Sequence, residues 1–315
     1  MVVRFWGVRG SIPSPPKSSE LQEKILRILE FSQGADLSTS EKRKKFLDSI
    51  EEQYTTFLGG NTPCVELQSG STRLIFDMGS GLRDLGREIM HTMGGRDIEL
   101  HMFVGHTHWD HIQGFPFFIP AYSPKTTINF YHRHPDLKGR LEGQQQFQYF
   151  PVSLDIMLSK RIYNELTEGQ ILKINDLTVR NIELNHPGKA FGYRVEKDGK
   201  SFVYASDSEY SNLPSERIKK YIEFYQGTDV LIFDAPYSFS EEIEKINWGH
   251  SSAIIGTDLA VEAKVKKLVL FHHAPENDDE EVYRLLNTAL TYKSRNYPDS
   301  DLSIVLAREG SDINI

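Results

Sequence analysis

The chain has 315 residues, 39% of them hydrophobic, and a formal charge of −8 at pH 7. That length admits one large α/β domain or two average ones; no run approaches the ~18 apolar residues of a membrane span, and the acidic balance offers no general attraction to a long polyanion, though it leaves a small phosphate ligand open. A single cysteine, Cys64, excludes an internal disulfide framework and a zinc–thiolate cluster, and a strand pattern at the start, where a signal peptide would be cationic and then apolar, makes a reducing cytoplasm the expected setting.

A strand pattern over 2–8 ends at Gly10-Ser11-Ile12-Pro13. Two helical patterns follow, near 19–31, with Leu21, Ile25, Ile28 and Leu29 on one face, and over 40–57, rich in Lys, Arg and Glu. They read as a helical insertion, about 18–57, between adjacent strands: a surface hairpin packed on the core, or else a lid or partner-docking element. Segments 64–68 and 72–76 flank a Ser-Gly turn and form a β-hairpin pattern. A helix over 81–93 precedes an apolar strand at 100–104, which runs into His106-Thr107-His108-Trp109-Asp110-His111. Beyond it, strands are expected at 128–131, 177–184, 192–195, 202–205, 230–234, 267–271 and 302–306, and helices at 216–225, 251–263 and 279–293. No linker divides the chain, so the expectation is one α/β domain over 1–315 with two sheets in its middle and helices outside.

The 106–111 loop concentrates four metal-binding side chains. In an extended segment alternate residues share a side, so His106 and His108 face together, and a turn into helix at Trp109 aims Asp110 and His111 elsewhere. One loop can thus serve two adjacent ions, and imidazole with carboxylate suits zinc, manganese or iron better than a soft thiolate metal. Further donors stand where strands end: His186, Asp207 and His272. Strand ends on one edge of a sheet converge on a crevice, the place where open α/β sheets hold their ligands.

Phe76-Asp77-Met78-Gly79-Ser80-Gly81, the 106–111 loop, His186, Asp207 and His272 run in this order over almost the whole chain. In this the chain resembles the metallo-β-lactamase superfamily, in particular the branch containing tRNase Z and class II-like phosphodiesterases. The resemblance implies an αββα sandwich with a site for two divalent metal ions, zinc first and manganese or iron next. His106, His108 and His186 would hold one ion, Asp110, His111 and His272 the other, and Asp207 would bridge them. Asp77 would support the donor loop by hydrogen bonding. Spacing alone does not separate His272 from His273; His272 follows its strand directly and is favoured, with His273 in a supporting role.

Two more stretches carry the resemblance further. Asp229-Val230-Leu231-Ile232-Phe233-Asp234-Ala235 and Gly249-His250-Ser251-Ser252 resemble the tRNase Z segments whose carboxylate and imidazole pair. Asp234 would then steer His250, which would protonate a leaving alkoxide, and Asp110 stands with them in the catalytic set. The alternative is that Ser251 or Ser252 caps a helix and His250 is incidental. Phe5-Trp6-Gly7-Val8-Arg9-Gly10-Ser11-Ile12-Pro13, Gly59-Gly60-Asn61-Thr62-Pro63-Cys64 and the run from Trp109 to Phe118 are similar to an uncharacterised phosphodiesterase-like group, from which the 18–57 insertion departs. Arg9 and Asn61 lie on loops near the metal edge and would either bind a substrate phosphate or serve the turns. Glu209 would brace a metal-bound histidine or stay solvated. Cys64 reads as core rather than nucleophile, and Tyr131-His132-Arg133-His134 as a surface strand end.

Together these imply a dinuclear hydrolase of a small phosphodiester such as a cyclic nucleotide or cyclic phosphate, with no membrane partner and a homodimer compatible with the resemblance. Its rivals are a tRNase Z-like endonuclease, which would need a protruding basic arm, a lactonase or ester hydrolase, and a diiron redox sensor. The redox proteins usually carry a carboxylate where His108 stands. Nucleic acid is disfavoured as a partner by the charge of −8.

Overall fold

In the computed structural model, which describes residues 1–315, the strands form two seven-stranded sheets. The first holds β1 (Val2–Gly7), β2 (Cys64–Ser69), β3 (Thr72–Phe76), β4 (Ile98–Phe103), β5 (Thr126–His132) and β6 (Lys160–Glu165). The second holds β7 (Ile171–Ile174), β8 (Leu177–Leu184), β9 (Ala190–Lys197), β10 (Lys200–Ala205), β11 (Val230–Asp234), β12 (Lys267–Phe271) and β13 (Ser303–Leu306). The last strand, β14 (Asp312–Asn314), returns to the first sheet and pairs antiparallel with β1. β3 to β6 run parallel, as do β10 to β13.

Both faces of each sheet are covered, which is why the central strands read as continuous apolar runs. Leu74 and Phe76 of β3, Phe202 and Tyr204 of β10, and Val269 and Phe271 of β12 meet between the sheets. Their alternates point outward under helices: Ile75 on one side, Val203, Leu268 and Leu270 on the other. The helices, in chain order, are α1 (Ser18–Phe31), α2 (Ser40–Asp48), α3 (Glu52–Thr55), α4 (Leu82–Met93), α5 (Trp109–Ile112), α6 (Leu137–Gln144), α7 (Ser215–Tyr225), α8 (Phe239–Glu244), α9 (Ala253–Glu262) and α10 (Asp279–Asn296). α4 and α6 cover the first sheet; α7, α9 and α10 cover the second. The layers are therefore α/β/β/α, as expected. None of the helices is long and apolar enough to cross a membrane.

The insertion differs from its expected form. The helical pattern over 40–57 breaks, because α2 ends at Asp48, where the Ser49 hydroxyl donates back to the Phe46 carbonyl at 2.7 Å. Neither α1 nor α2 buries a residue, and Leu21, Ile25, Leu26 and Leu29 stay exposed. The insertion is tied on through Lys24, which pairs with Asp279 at 3.3 Å, and through Glu52, which pairs with Arg308 at 2.6 Å. Sequence periodicity also passed over β6, β7, β14, α6 and α8. Of these, β6, β7 and β14 are sheet edges, which carry little of the apolar pattern that marks an interior strand.

Candidate metal centre

The polar crevice lies where same-direction strands end. Asp77 follows β3, the 106–111 loop follows β4, and His186, Asp207 and His272 follow β8, β10 and β12. At the crevice, four residues beyond strand ends adopt left-handed backbone: Ser11 (φ 61°), Asp77 (60°), Asp207 (59°) and His272 (62°). Each such turn swings its residue sharply off the strand line. On the donor loop His108 is still extended and caps α5, whose first turn carries Asp110 and His111. This is the split that the spacing implied.

Two groups of donor atoms match the implied ligand sets, each within 4.8 Å: His106, His108 and His186, then Asp110, His111, Asp207 and His272; three overlapping sets add Asp77, His250 and Asp234. Asp207 faces both. Its Oδ2 lies 3.4 Å from His106 Nε2, and its Oδ1 lies 3.2 Å from His111 Nε2 and 3.3 Å from His272 Nε2. Asp110 Oδ2 is 3.2 Å from His111 Nε2 and 3.1 Å from His272 Nε2. His186 Nε2 is 3.2 Å from His108 Nδ1.

The outer ring nitrogens decide which way the lone pairs face. His111 Nδ1 donates to Asp77 Oδ2 at 2.7 Å, and His186 Nδ1 donates to the Gly249 carbonyl at 2.8 Å. His272 Nδ1 lies 3.5 Å from Asp234 Oδ1. The inner nitrogens are then acceptors, yet those of His111 and His272 approach to 3.3 Å among carboxylate oxygens. Lone pairs repel at that separation unless a cation lies among them. His106 Nε2 is buried with no hydrogen-bond partner at all, a state that costs about 1–3 kcal/mol when nothing fills the need. Imidazole and carboxylate converging with their outer nitrogens anchored is the donor chemistry of zinc, manganese or iron, so these residues fit divalent ions.

The electrostatics agree. Burial lowers the proton affinity of His111, but Asp207, Asp110 and Asp77 raise it further and leave it well above the ordinary imidazole range. Burial would raise the Asp207 carboxyl, yet His111, His272 and His106 bring it well below the usual carboxylate value. His106, buried and beside His111, falls well below the ordinary range. The field that favours a proton on His111 favours a divalent cation more strongly.

The supporting residues are more specific than their sequence positions suggested. Asp77 accepts from the Gly105 N–H at 2.6 Å, and from the Tyr204 hydroxyl of the opposite sheet at 2.7 Å as well as from His111. Glu209 touches no histidine. It accepts from the Asn247 and Gly249 N–H groups at 3.1 and 3.0 Å, and so fixes the carbonyl that orients His186. Asp234 is not apart from the donor set: one oxygen accepts from His250 Nδ1 at 2.8 Å and the other faces His272. Burial lowers the His250 value, but Asp234, with Asp207 and Asp110 beyond it, pushes it up to about 9. His273 turns away and donates to the Ala307 carbonyl at 2.9 Å, while its own N–H and C=O bind Val8 and Gly10.

Three expectations need correction. Arg9 is buried, paired with Asp279 at 3.1 Å, and donates to the Gly59 and Asn277 carbonyls at 2.9 and 2.7 Å, so its guanidinium faces no substrate. Asn61 is held at both ends of its amide, by Glu309 at 3.2 Å and Ser80 at 2.9 Å. His132 and His134 are buried rather than on a surface strand end; His134 donates to the Gly105 carbonyl at 3.2 Å and steadies the donor loop. Cys64 is fully buried, with burial pushing its thiol well above the ordinary value. The sequence reading also missed Ser11, whose N–H donates to Asp110 Oδ2 at 2.8 Å, and Gly10, where a Cβ would overlap the His272 ring. Gly10→Ala should therefore displace His272 and weaken metal affinity about 10–100-fold with the circular dichroism unchanged. Wild-type affinity in a metal titration would show that the ring has room to move.

A sequence model described as the beta-lactamase superfamily domain matches residues 73–273. The chain is 26% identical to Ribonuclease Z of Archaeoglobus fulgidus over 268 residues, covering 67% of this chain and 81% of that protein. With Ribonuclease Z of Sulfurisphaera tokodaii the figures are 25% over 289 residues, 78% and 93%. Among solved structures, the metallo-beta-lactamase fold protein YhfI from Bacillus subtilis superposes with a TM-score of 0.64 at 16% identity, over 99% of each chain. The short form of human tRNase Z gives 0.61 at 17%, over 100% of this chain and 99% of that one. A diphosphatase of the PhnP family gives 0.58 at 18%, over 100% and 97%. At such identities the structural likeness speaks for the fold.

Proposed function

Because the chain belongs to the beta-lactamase superfamily and is a metal-dependent hydrolase of that fold, we propose that it cleaves a small phosphodiester, such as a cyclic nucleotide or related cyclic phosphate. The observation that carries this reading is the Asp234–His250 pair, bonded at 2.8 Å beside the convergent donors. Expulsion of an alkoxide from a phosphodiester needs a proton donor there. We read residues 1–315 as one hydrolase unit, since donors come from the ends of strands in both sheets.

In this reading His106, His108 and His186 would hold one ion and Asp110, His111 and His272 a second, with Asp207 available to both and zinc the first candidate. Held there, the ions supply Lewis acidity toward phosphoryl oxygens and a nucleophile at neutral pH. The chain's own part is orientation and proton transfer. Asp77 and the Gly249 carbonyl keep the lone pairs of His111 and His186 aimed inward. Asp234 keeps the proton of His250 Nδ1, leaving Nε2 as the nitrogen that meets the substrate. As the phosphorus gains an oxygen from water and loses the ester oxygen, His250 Nε2 gives its proton to the departing oxygen. A value of about 9 keeps His250 protonated at neutral pH, as a general acid must be.

A second reading, cleavage of an RNA phosphodiester, draws on the curated relatives named Ribonuclease Z. The charge of −8 weighs against a long nucleic-acid footprint. Metal analysis of purified protein, followed by assay on bis-p-nitrophenyl phosphate, a cyclic nucleotide panel and a precursor tRNA, separates these. Turnover of the small esters supports the proposal. A protein with its ions bound that cleaves carboxyl esters and no phosphodiester would overturn it.

A further inference from the structure

Six tyrosines are buried in this fold, and five of them satisfy their hydroxyls within the chain. Tyr193 donates to the Val104 carbonyl at 2.7 Å, Tyr204 to Asp77 at 2.7 Å and Tyr221 to the Glu183 carbonyl at 3.2 Å, while Tyr210 and Tyr225 bond to each other at 2.5 Å. Tyr237 is the sixth. Its side chain is only 7% exposed, yet its hydroxyl bonds to nothing in the chain. A buried phenol ordinarily finds a partner, so one without any is a group to be explained.

Its position supplies the explanation. Tyr237 lies three residues beyond Asp234 at the end of β11, and its N–H donates to the Ser251 carbonyl at 3.4 Å. Tyr237 and Ser252 also form a parallel bridge, so the segment leaving Asp234 runs beside the one that carries His250. The Tyr237 ring stands perpendicular to the His250 ring, 5.7 Å between centroids, and Lys245 Nζ lies over it at 4.3 Å. A ring held by His250, by Lys245 and by its own backbone has little freedom to carry the hydroxyl elsewhere. Burial raises the phenol's pKa above its ordinary value, and the charges of Asp234, Glu276, Glu241 and Asp207 raise it further. Two of those carboxylates belong to the site itself, and the group that meets a ligand there is a neutral donor that keeps its proton.

We propose that Tyr237 is a catalytic residue whose hydroxyl donates a hydrogen bond to a non-bridging phosphoryl oxygen of the substrate. This rests on the phosphodiesterase reading and adds to it a residue that meets the substrate. The departing oxygen already takes its proton from His250, and a phenol that holds its own proton so firmly is a poor acid. The non-bridging oxygens, which carry the charge of the diester, are the acceptors that a fixed neutral donor suits.

The test compares Tyr237→Phe and Tyr237→Ala with wild type, on bis-p-nitrophenyl phosphate and on a cyclic nucleotide. Tyr237→Phe keeps the ring against His250 and removes only the hydroxyl. It should bind metal as wild type does and lose about 10–100-fold in kcat/KM on both esters alike, since both present the same phosphoryl oxygens. Wild-type rates in Tyr237→Phe with a loss only in Tyr237→Ala would leave the ring as packing and overturn the proposal. So would a loss confined to the cyclic nucleotide, which would mean that Tyr237 acts through His250 on the leaving group. If wild type with its ions bound turns over neither ester, the phosphodiesterase reading fails on its own. The hydroxyl is then decided by calorimetric titration of the metal-loaded protein with inorganic phosphate. Binding that Tyr237→Phe weakens about 10-fold upholds the donor; equal affinity, or no binding by wild type, removes it.

Discussion

Asp207→Ala should emerge from purification depleted of metal and inactive on every phosphodiester. Asp207 faces the inner nitrogens of both donor groups, with Oδ2 toward His106 and Oδ1 toward His111 and His272. Removing it leaves His106, His108 and His186 on one side and Asp110, His111 and His272 on the other, with nothing shared. Loss of a partner that merely orients a ligand commonly costs about 10–100-fold in metal affinity, and a shared ligand should cost more than that upper figure. The turn itself should survive, because β10 and β11 stay paired through Ala205 and Phe233. Circular dichroism should therefore match wild type while elemental analysis does not. Asp207→Asn keeps the shape and one weak donor oxygen, and should fall between the two. A fully loaded Asp207→Ala protein would remove the residue from the centre.

His250→Ala should behave in the opposite way, keeping its metal and losing its chemistry on difficult esters. The ring meets the donors by stacking against His272, at 5.0 Å between centroids, edge-on against His186 at 5.3 Å, and through Asp234. General acid catalysis contributes about 10²–10⁴-fold, so an alkyl ester or cyclic nucleotide should lose that much in kcat. A p-nitrophenolate departs without a proton, and the same variant should lose less than about 10-fold on that ester. The alkaline limb of the wild-type profile for alkyl esters should also vanish. That limb lies at or below the value of about 9, since His250 donates only while protonated and activity falls as pH rises through its pKa. Equal losses on both leaving groups would move His250 out of proton transfer and into positioning. Asp234→Ala is the less informative variant, because Asp234 also faces His272 at 3.5 Å and its loss strikes both.

What could be read in the sequence was whatever is local. His106, His108, Asp110 and His111 sit on six consecutive residues, so their division follows from strand and helix geometry alone. The strands at 72–76, 230–234 and 267–271 were legible because both of their faces are buried and most positions are apolar, and 177–184 because apolar and polar residues alternate along it. Arg9 misled because its fate is decided by Asp279, 270 residues away, and nothing near Arg9 in the chain announces that partner. Tyr204 was overlooked for the same reason: only folding brings its hydroxyl from one sheet to Asp77 at the edge of the other. Gly10 and Ser11 looked like turn chemistry, and they are, but the turn happens to abut His272 and Asp110.

The left-handed residues at the strand ends divide the protein's stability from its chemistry at identifiable positions. Holding a non-glycine residue there costs about 1–3 kcal/mol. Glycine would release that strain at Asp77, Asp207 or His272 only by deleting the carboxylate or imidazole that the turn aims. Ser11 is different: it contributes an N–H to Asp110, and its side chain points to solvent. It is the one of the four where glycine relaxes the backbone and keeps the bond, and so the place where the cage could be made easier to fold without being rebuilt.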